Sequence, residues 1–179
     1  MKLAKSLDRL GTESAFAILA EAKKLEAQGK PMIHLSLGQP DFKTPQHVMD
    51  AAKKAIDDGH HGYVLANGIL ECRQAVTRKI KKLYNKDVSP ERVMIMPGGK
   101  PTMYFAIQMI GEPGAEIVHP TPGFPIYESM INYTGAKAVP YDLTKEKDLK
   151  FDPEKILSLI TDKTRLVILI NPNNPTGSF

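Results

Sequence analysis

Three stretches of this 179-residue sequence combine residue types at spacings that could hold a small anionic ligand. In Pro97-Gly98-Gly99-Lys100-Pro101, two glycines and a lysine stand at the mouth of an expected helix. Free amides and the positive end of the helix dipole favour an anion there by about 0.3 to 2 kcal/mol, and phosphate is the natural guest. A glycine turn that only caps a helix uses the same residues, so this loop by itself leaves both readings open. It is no Walker loop, since Met94 replaces the first glycine and Pro101 the magnesium-holding hydroxyl residue. The second stretch, Thr121-Pro122-Gly123-Phe124-Pro125-Ile126-Tyr127, sets an aromatic between prolines, where packing and ligand contact are both open. The third, Asn171-Pro172-Asn173-Asn174-Pro175-Thr176-Gly177, holds three amide side chains rigid directly after an apolar run. So much polarity and stiffness at the end of a strand reads as functional.

The elements around these loops must place them at one edge. Apolar spacing predicts helices over residues 12–28, with Thr12 as cap and Ala15, Ile18, Leu19, Ala22 and Leu25 inward, and after Thr44-Pro45, with Val48, Ala51, Ala52, Ala55 and Ile56 inward and Gly59 past its end. A longer helix follows Gly68, with Ile69, Cys72, Val76, Ile80 and Leu83 on one face. Short apolar runs predict strands over 32–37, 93–96, 116–119, 136–141 and 166–170, the last of them central, with helices over 101–110, 125–133 and 152–160 between. That alternation suits right-handed crossovers, so the fold class is α/β, a mostly parallel sheet sandwiched by helices. Ligands in such sheets bind beyond the carboxyl ends of the strands, which is where all three loops fall.

Read together, Asn-Pro-Asn-Asn-Pro-Thr-Gly, Gly-Gly-Lys, Pro-Gly-Phe-Pro-Ile-Tyr and Leu37-Gly38-Gln39-Pro40-Asp41-Phe42 resemble the class I aminotransferases. These are fold-type-I enzymes that use pyridoxal 5'-phosphate, and the similarity is closest to a bacterial aspartate aminotransferase-like branch. The resemblance implies that Gly98, Gly99 and Lys100 receive the cofactor phosphate, that Phe124 stacks on its ring, and that Asn174 hydrogen-bonds its 3-hydroxyl oxygen. It implies that Gly38, Lys100, Phe124 and Asn174 also meet the substrate. Tyr63 resembles a tyrosine that reaches the neighbouring subunit's phosphate, which implies a homodimer. Amino acid and 2-oxo acid substrates follow, with aspartate and 2-oxoglutarate first because Lys100 stands where that branch reads a distal carboxylate. Ala15 stands near where those relatives offer a threonine, with Ser14 adjacent as a substitute.

The same resemblance places the lysine that carries the cofactor, the aspartate facing the pyridine nitrogen and the carboxylate-binding arginine after Phe179. The chain then reads as the N-terminal part of a longer protein, inactive alone. Residues 1–44 form an arm and small-domain segment, and 45–179 the incomplete large cofactor-binding domain. A lyase or synthase of the same fold, and a non-catalytic ligand-binding module, are the alternatives.

Composition narrows the setting. Twenty-four Lys and Arg against 20 Asp and Glu give a net charge of +4, scattered along the chain, which is too thin for a nucleic-acid footprint. No apolar run reaches the roughly 20 residues of a membrane helix, and no secretory signal opens the chain, so the expected location is cytoplasmic. Cys72 is the single cysteine and reads as core. The five histidines, His34, His47, His60, His61 and His119, lack ligand spacing, so no metal is expected. Lys79, Lys81 and Lys82 read as a solvated face.

Overall fold

The computed structural model describes residues 2–11 and 14–179, the side chain of Ser14 excepted. The expected Thr12 cap and any role for Ser14 therefore lie outside the described residues. The chain forms two compact units, one of residues 1–32 with 98–179 and one of residues 33–97.

The first unit holds helix α1 (Ser14–Ala27), α4 (Gly99–Ile110), β1 (Glu116–Thr121), α5 (Ile126–Thr134), β2 (Lys137–Asp142), α6 (Pro153–Ser158) and β3 (Thr164–Val167). Its three strands are parallel in the order β2-β1-β3, with Ile117 opposite Ala138 and Leu166, and Val118 opposite Val139 and Val167. Successive side chains of a strand point to opposite faces, so β1 feeds two cores. Ile117 joins Ile107, Met130 and Ile131 beneath α4 and α5, whereas Val118 joins Tyr141 and Leu143 with Phe151 and Ile156 of the α6 side. Helices thus cover both faces, as the alternating pattern predicts.

Residues 166–170 read as a central strand; β3 takes residues 164–167 and pairs with β1, which is buried on both faces and lies between β2 and β3 among the described residues. Glu116 ties the three strands at their starts: its carboxylate accepts from Lys137 Nζ at 2.8 Å and from the Thr161 hydroxyl at 2.7 Å. These bonds, Lys137 first, hold its carboxyl below the usual carboxylate range. The N-terminal arm docks on the end of α5, where Arg9 donates to the carbonyls of Asn132 and Tyr133 at 2.8 and 2.7 Å. On α1, Ala22 is buried and Leu19 and Leu25 are half-buried, but Ile18 is exposed, so the inward face is narrower than expected.

The second unit holds α2 (Gln46–Asp57) and α3 (Leu70–Tyr84). Cys72, Val76 and Ile80 are half-buried, while Leu83 is exposed. The expected strands over 32–37 and 93–96 are not formed. Apolar runs become strands only beside a partner, and among the described residues neither run joins a ladder. The apolar face read for α2 is likewise largely uncovered, with Val48 and Ile56 exposed. Arg73 is this unit's fastening: 2% exposed, it donates to the Gly68 and Pro90 carbonyls and to the Glu91 carboxylate. Gly68 is at φ +94°, and a Cβ there would strike the Ile95 side chain.

Candidate functional site

The loops singled out by sequence precede α4, follow β1 and follow β3, and from Gly98 onward they belong to the first unit. Gly98, at φ 91°, ψ 170°, precedes α4 and offers it no side-chain cap, so the amides of the first turn face outward. A Cβ at Gly98 meets nothing within 4 Å, hence the glycine serves the left-handed backbone and leaves the approach to those amides open.

Phe124 follows β1 through a turn with a cis Thr121-Pro122 bond. Gly123 is sterically required, because a Cβ would drive into the Pro120 carbonyl oxygen. The turn leaves Phe124 half-buried, its ring edge-on to Tyr127 at 6.4 Å between centroids. Burial pushes the Tyr127 phenol up.

Direct contacts join the loops in sequence. Lys100 Nζ lies 5.6 Å from the Phe124 ring centroid and 5.2 Å from that of Phe16 on α1, linking the first loop to the second. Asn173 Nδ2 donates to the Pro122 carbonyl at 3.3 Å, linking the third to the second. Asn174 is exposed beside it. Gly98, Gly99, Lys100, Phe124 and Asn174 therefore belong to one loop cluster. Gly38 and Tyr63 belong to the second unit. There Gly38 is exposed with open space around its Cα, and Tyr63 is fully exposed in a cleft of about 650 Å³ with His60, Val64 and Ile69.

Two neighbours of the cluster, Phe16 and Asn173, were not assigned from sequence, and neither was a role for His119 of β1. Phe16 gave no signal beyond an aromatic on a helix. Asn173 stood inside the third loop, but its burial follows from the turn that Gly177 N closes on the Asn173 carbonyl at 2.7 Å, which residue types alone do not reveal. His119 lies buried in β1 with Nε2 lacking a hydrogen-bond partner among the described residues. Desolvation pulls its pKa down, opposed by the charge of Glu128.

A family described as aminotransferase class I and II matches residues 30–179. The aspartate aminotransferase of Bacillus subtilis is 35% identical over 99% of this chain, which spans 45% of that relative. The solved aspartate aminotransferase of Thermus thermophilus with maleate superposes with a TM-score of 0.90 at 31% identity, covering 98% of this chain and 46% of the other. An alanine aminotransferase from Pyrococcus furiosus gives 0.89 at 31%, covering 98% and 45%. The chain spans a little under half the length of each.

Proposed function

As the chain belongs to the aminotransferase class I and II family, we propose that the protein moves an amino group between an amino acid and a 2-oxo acid. The family uses pyridoxal 5'-phosphate. The observation that carries the reading is the contact chain Lys100–Phe124 and Pro122–Asn173, which draws the phosphate, ring and hydroxyl loops into one cluster.

The residues present fit that cofactor. The uncapped first turn of α4, open at Gly98, suits a phosphate, and the Lys100 ammonium adds charge. The half-buried Phe124 ring offers a stacking face worth about 0.5 to 1.5 kcal/mol beyond burial. Asn174, exposed on a loop held between prolines, would donate to the 3-hydroxyl oxygen, a charge-assisted bond of about 1.5 to 3 kcal/mol. When bound, the cofactor supplies the electron sink for the pair left behind as the α-proton departs. The protein's share is to keep phosphate, ring and hydroxyl fixed while that charge develops.

Gly38 would leave room for the substrate carboxylate, and Tyr63 would reach the neighbouring subunit of a homodimer. In domain terms, residues 1–44 would serve the small domain and 45–179 the large one. Lys100 supports aspartate as donor and 2-oxoglutarate as acceptor. Its place in the phosphate loop, between two aromatic rings, supports the reading that this chain alone does not carry the cofactor covalently and is inactive. No helix among the described residues is long and apolar enough to cross a membrane, and a cytoplasmic location is part of the proposal.

The test is glutamate formation from aspartate and 2-oxoglutarate by the full-length protein loaded with pyridoxal phosphate. Absence of amino transfer from aspartate, alanine and an aromatic donor alike would overturn the proposal.

A further inference from the structure

Asn173 is 3% exposed and has the most completely engaged donors in the third loop. Its Nδ2 donates to the Thr176 hydroxyl at 2.9 Å and to the Pro122 carbonyl at 3.3 Å. A carbonyl oxygen only accepts, so the nitrogen, and not Oδ1, must face Pro122. The direction of the next bonds follows. Thr176 Oγ1 accepts from Asn173 and from the Ser178 amide, so its own proton goes to Ser178 Oγ at 2.7 Å. Ser178 in turn donates to the Leu149 carbonyl at 2.6 Å. Main-chain bonds from Asn173 N to Ser178 O and from Gly177 N to Asn173 O, 2.8 and 2.7 Å, close the loop on itself.

Among the described residues this closed loop meets the second loop through one side-chain hydrogen bond, Asn173 to Pro122. Pro122 is two residues before Phe124, and Asn173 is one before Asn174. We propose that Asn173 is a positioning residue that locks the ring-stacking and hydroxyl-binding loops into a single unit, so that Phe124 and Asn174 meet the cofactor in fixed register. The inference rests on the aminotransferase reading above. Asn173 itself need touch neither cofactor nor substrate. Its buried Oδ1, without a partner among the described residues, agrees with an amide held by its donors.

The experiment uses the full-length protein and Asn173→Asp, which keeps the shape and removes the donor. Three quantities are read: the pH midpoint of the bound cofactor's visible absorbance, the dissociation constant of pyridoxal phosphate, and thermal denaturation of the cofactor-free protein. We expect the midpoint to move in the same direction as in Asn174→Ala and the dissociation constant to rise several-fold. The rise in the dissociation constant should shrink at acid pH, where a protonated carboxyl donates again. A purely structural role would lower the denaturation temperature and leave the midpoint where it was, and that result overturns the proposal. Thr176→Val guards against misfolding of the first variant: it removes the amide's nearer acceptor and should shift the midpoint the same way by less, while no shift counts against the inference. A wild-type protein that takes up no pyridoxal phosphate overturns the functional reading and this inference with it.

Discussion

The Lys100 ammonium stands 5.6 Å from the centre of the Phe124 ring and 5.2 Å from that of the Phe16 ring. A cation held against aromatic rings loses conformational freedom, and each contact contributes about 0.5 to 1 kcal/mol at an exposed site. Held this way beside the ring that would stack on the cofactor, Lys100 can serve either the phosphate or a second carboxylate on the substrate. The two roles separate in Lys100→Met. If Lys100 reads the substrate, the specificity constant for aspartate falls roughly 10- to 150-fold, the worth of a charge-assisted hydrogen bond, while that for alanine changes little. Equal losses for both donors assign the lysine to the cofactor. Phe16→Leu should cost aspartate only a few-fold, since it loosens the ammonium without removing it.

Asn174→Ala removes a donor aimed at an oxygen that carries negative charge when ionised. The ionised form loses about 1.5 to 3 kcal/mol of support, so the pH midpoint of the bound cofactor's absorbance should rise by roughly one to two units. Spectrophotometric titration of wild type and variant reads the shift directly. An unchanged or lower midpoint would remove Asn174 from the hydroxyl contact.

What could be read from sequence divides along a physical line. Helices α3, α4 and α5 fall within about two residues of their expected spans, because apolar spacing of three to four residues records a local fact, one buried face. Strand pairing is not local. The apolar runs over 32–37 and 93–96 look like strands but join no ladder among the described residues, whereas the run at 166–170 contributes to β3 beside β1. At the site, prolines and glycines marked the three loops, and Gly98 and Gly123 show why, one by its positive φ and the other by the carbonyl against its Cα. Arg73 left no trace in the pattern: a charged residue within a helix reads as solvated, and only the carbonyls of Gly68 and Pro90 converging on it explain its burial.

His119 makes the fold sensitive to acid. Burial favours its neutral form, so its folded pKa lies below the ordinary value of about 6.5. As pH falls through that value the unfolded chain takes up a proton before the folded one does. The His119 contribution to stability is therefore complete above about pH 6.5 and is lost as pH drops toward the folded pKa. Replacing the ring by an apolar side chain, His119→Leu, should flatten that decline. Urea midpoints at pH 7.5 and 5.5 give the comparison: wild type loses more on acidification than the variant, and equal losses would show that other groups govern the acid limb.

Tyr63 is fully exposed, an unusual place for an aromatic whose hydroxyl has work to do within its own unit. Tyrosine combines an apolar ring with a polar tip, which suits a surface that a second copy covers. The proposed dimer gives the hydroxyl its target, the phosphate bound by the neighbouring subunit. Complementation tests this more sharply than loss of activity does. A Tyr63→Phe subunit keeps its own phosphate loop and cofactor-bearing lysine, but fails to complete its partner's site. A second subunit, lacking that lysine but retaining Tyr63, has a dead site of its own and repairs the other. In the mixed dimer the one working site should then show wild-type affinity for the cofactor, whereas Tyr63→Phe homodimers should bind it several-fold more weakly. If the mixed dimer binds no better than the Tyr63→Phe homodimer, Tyr63 acts within its own chain and the cross-subunit assignment falls.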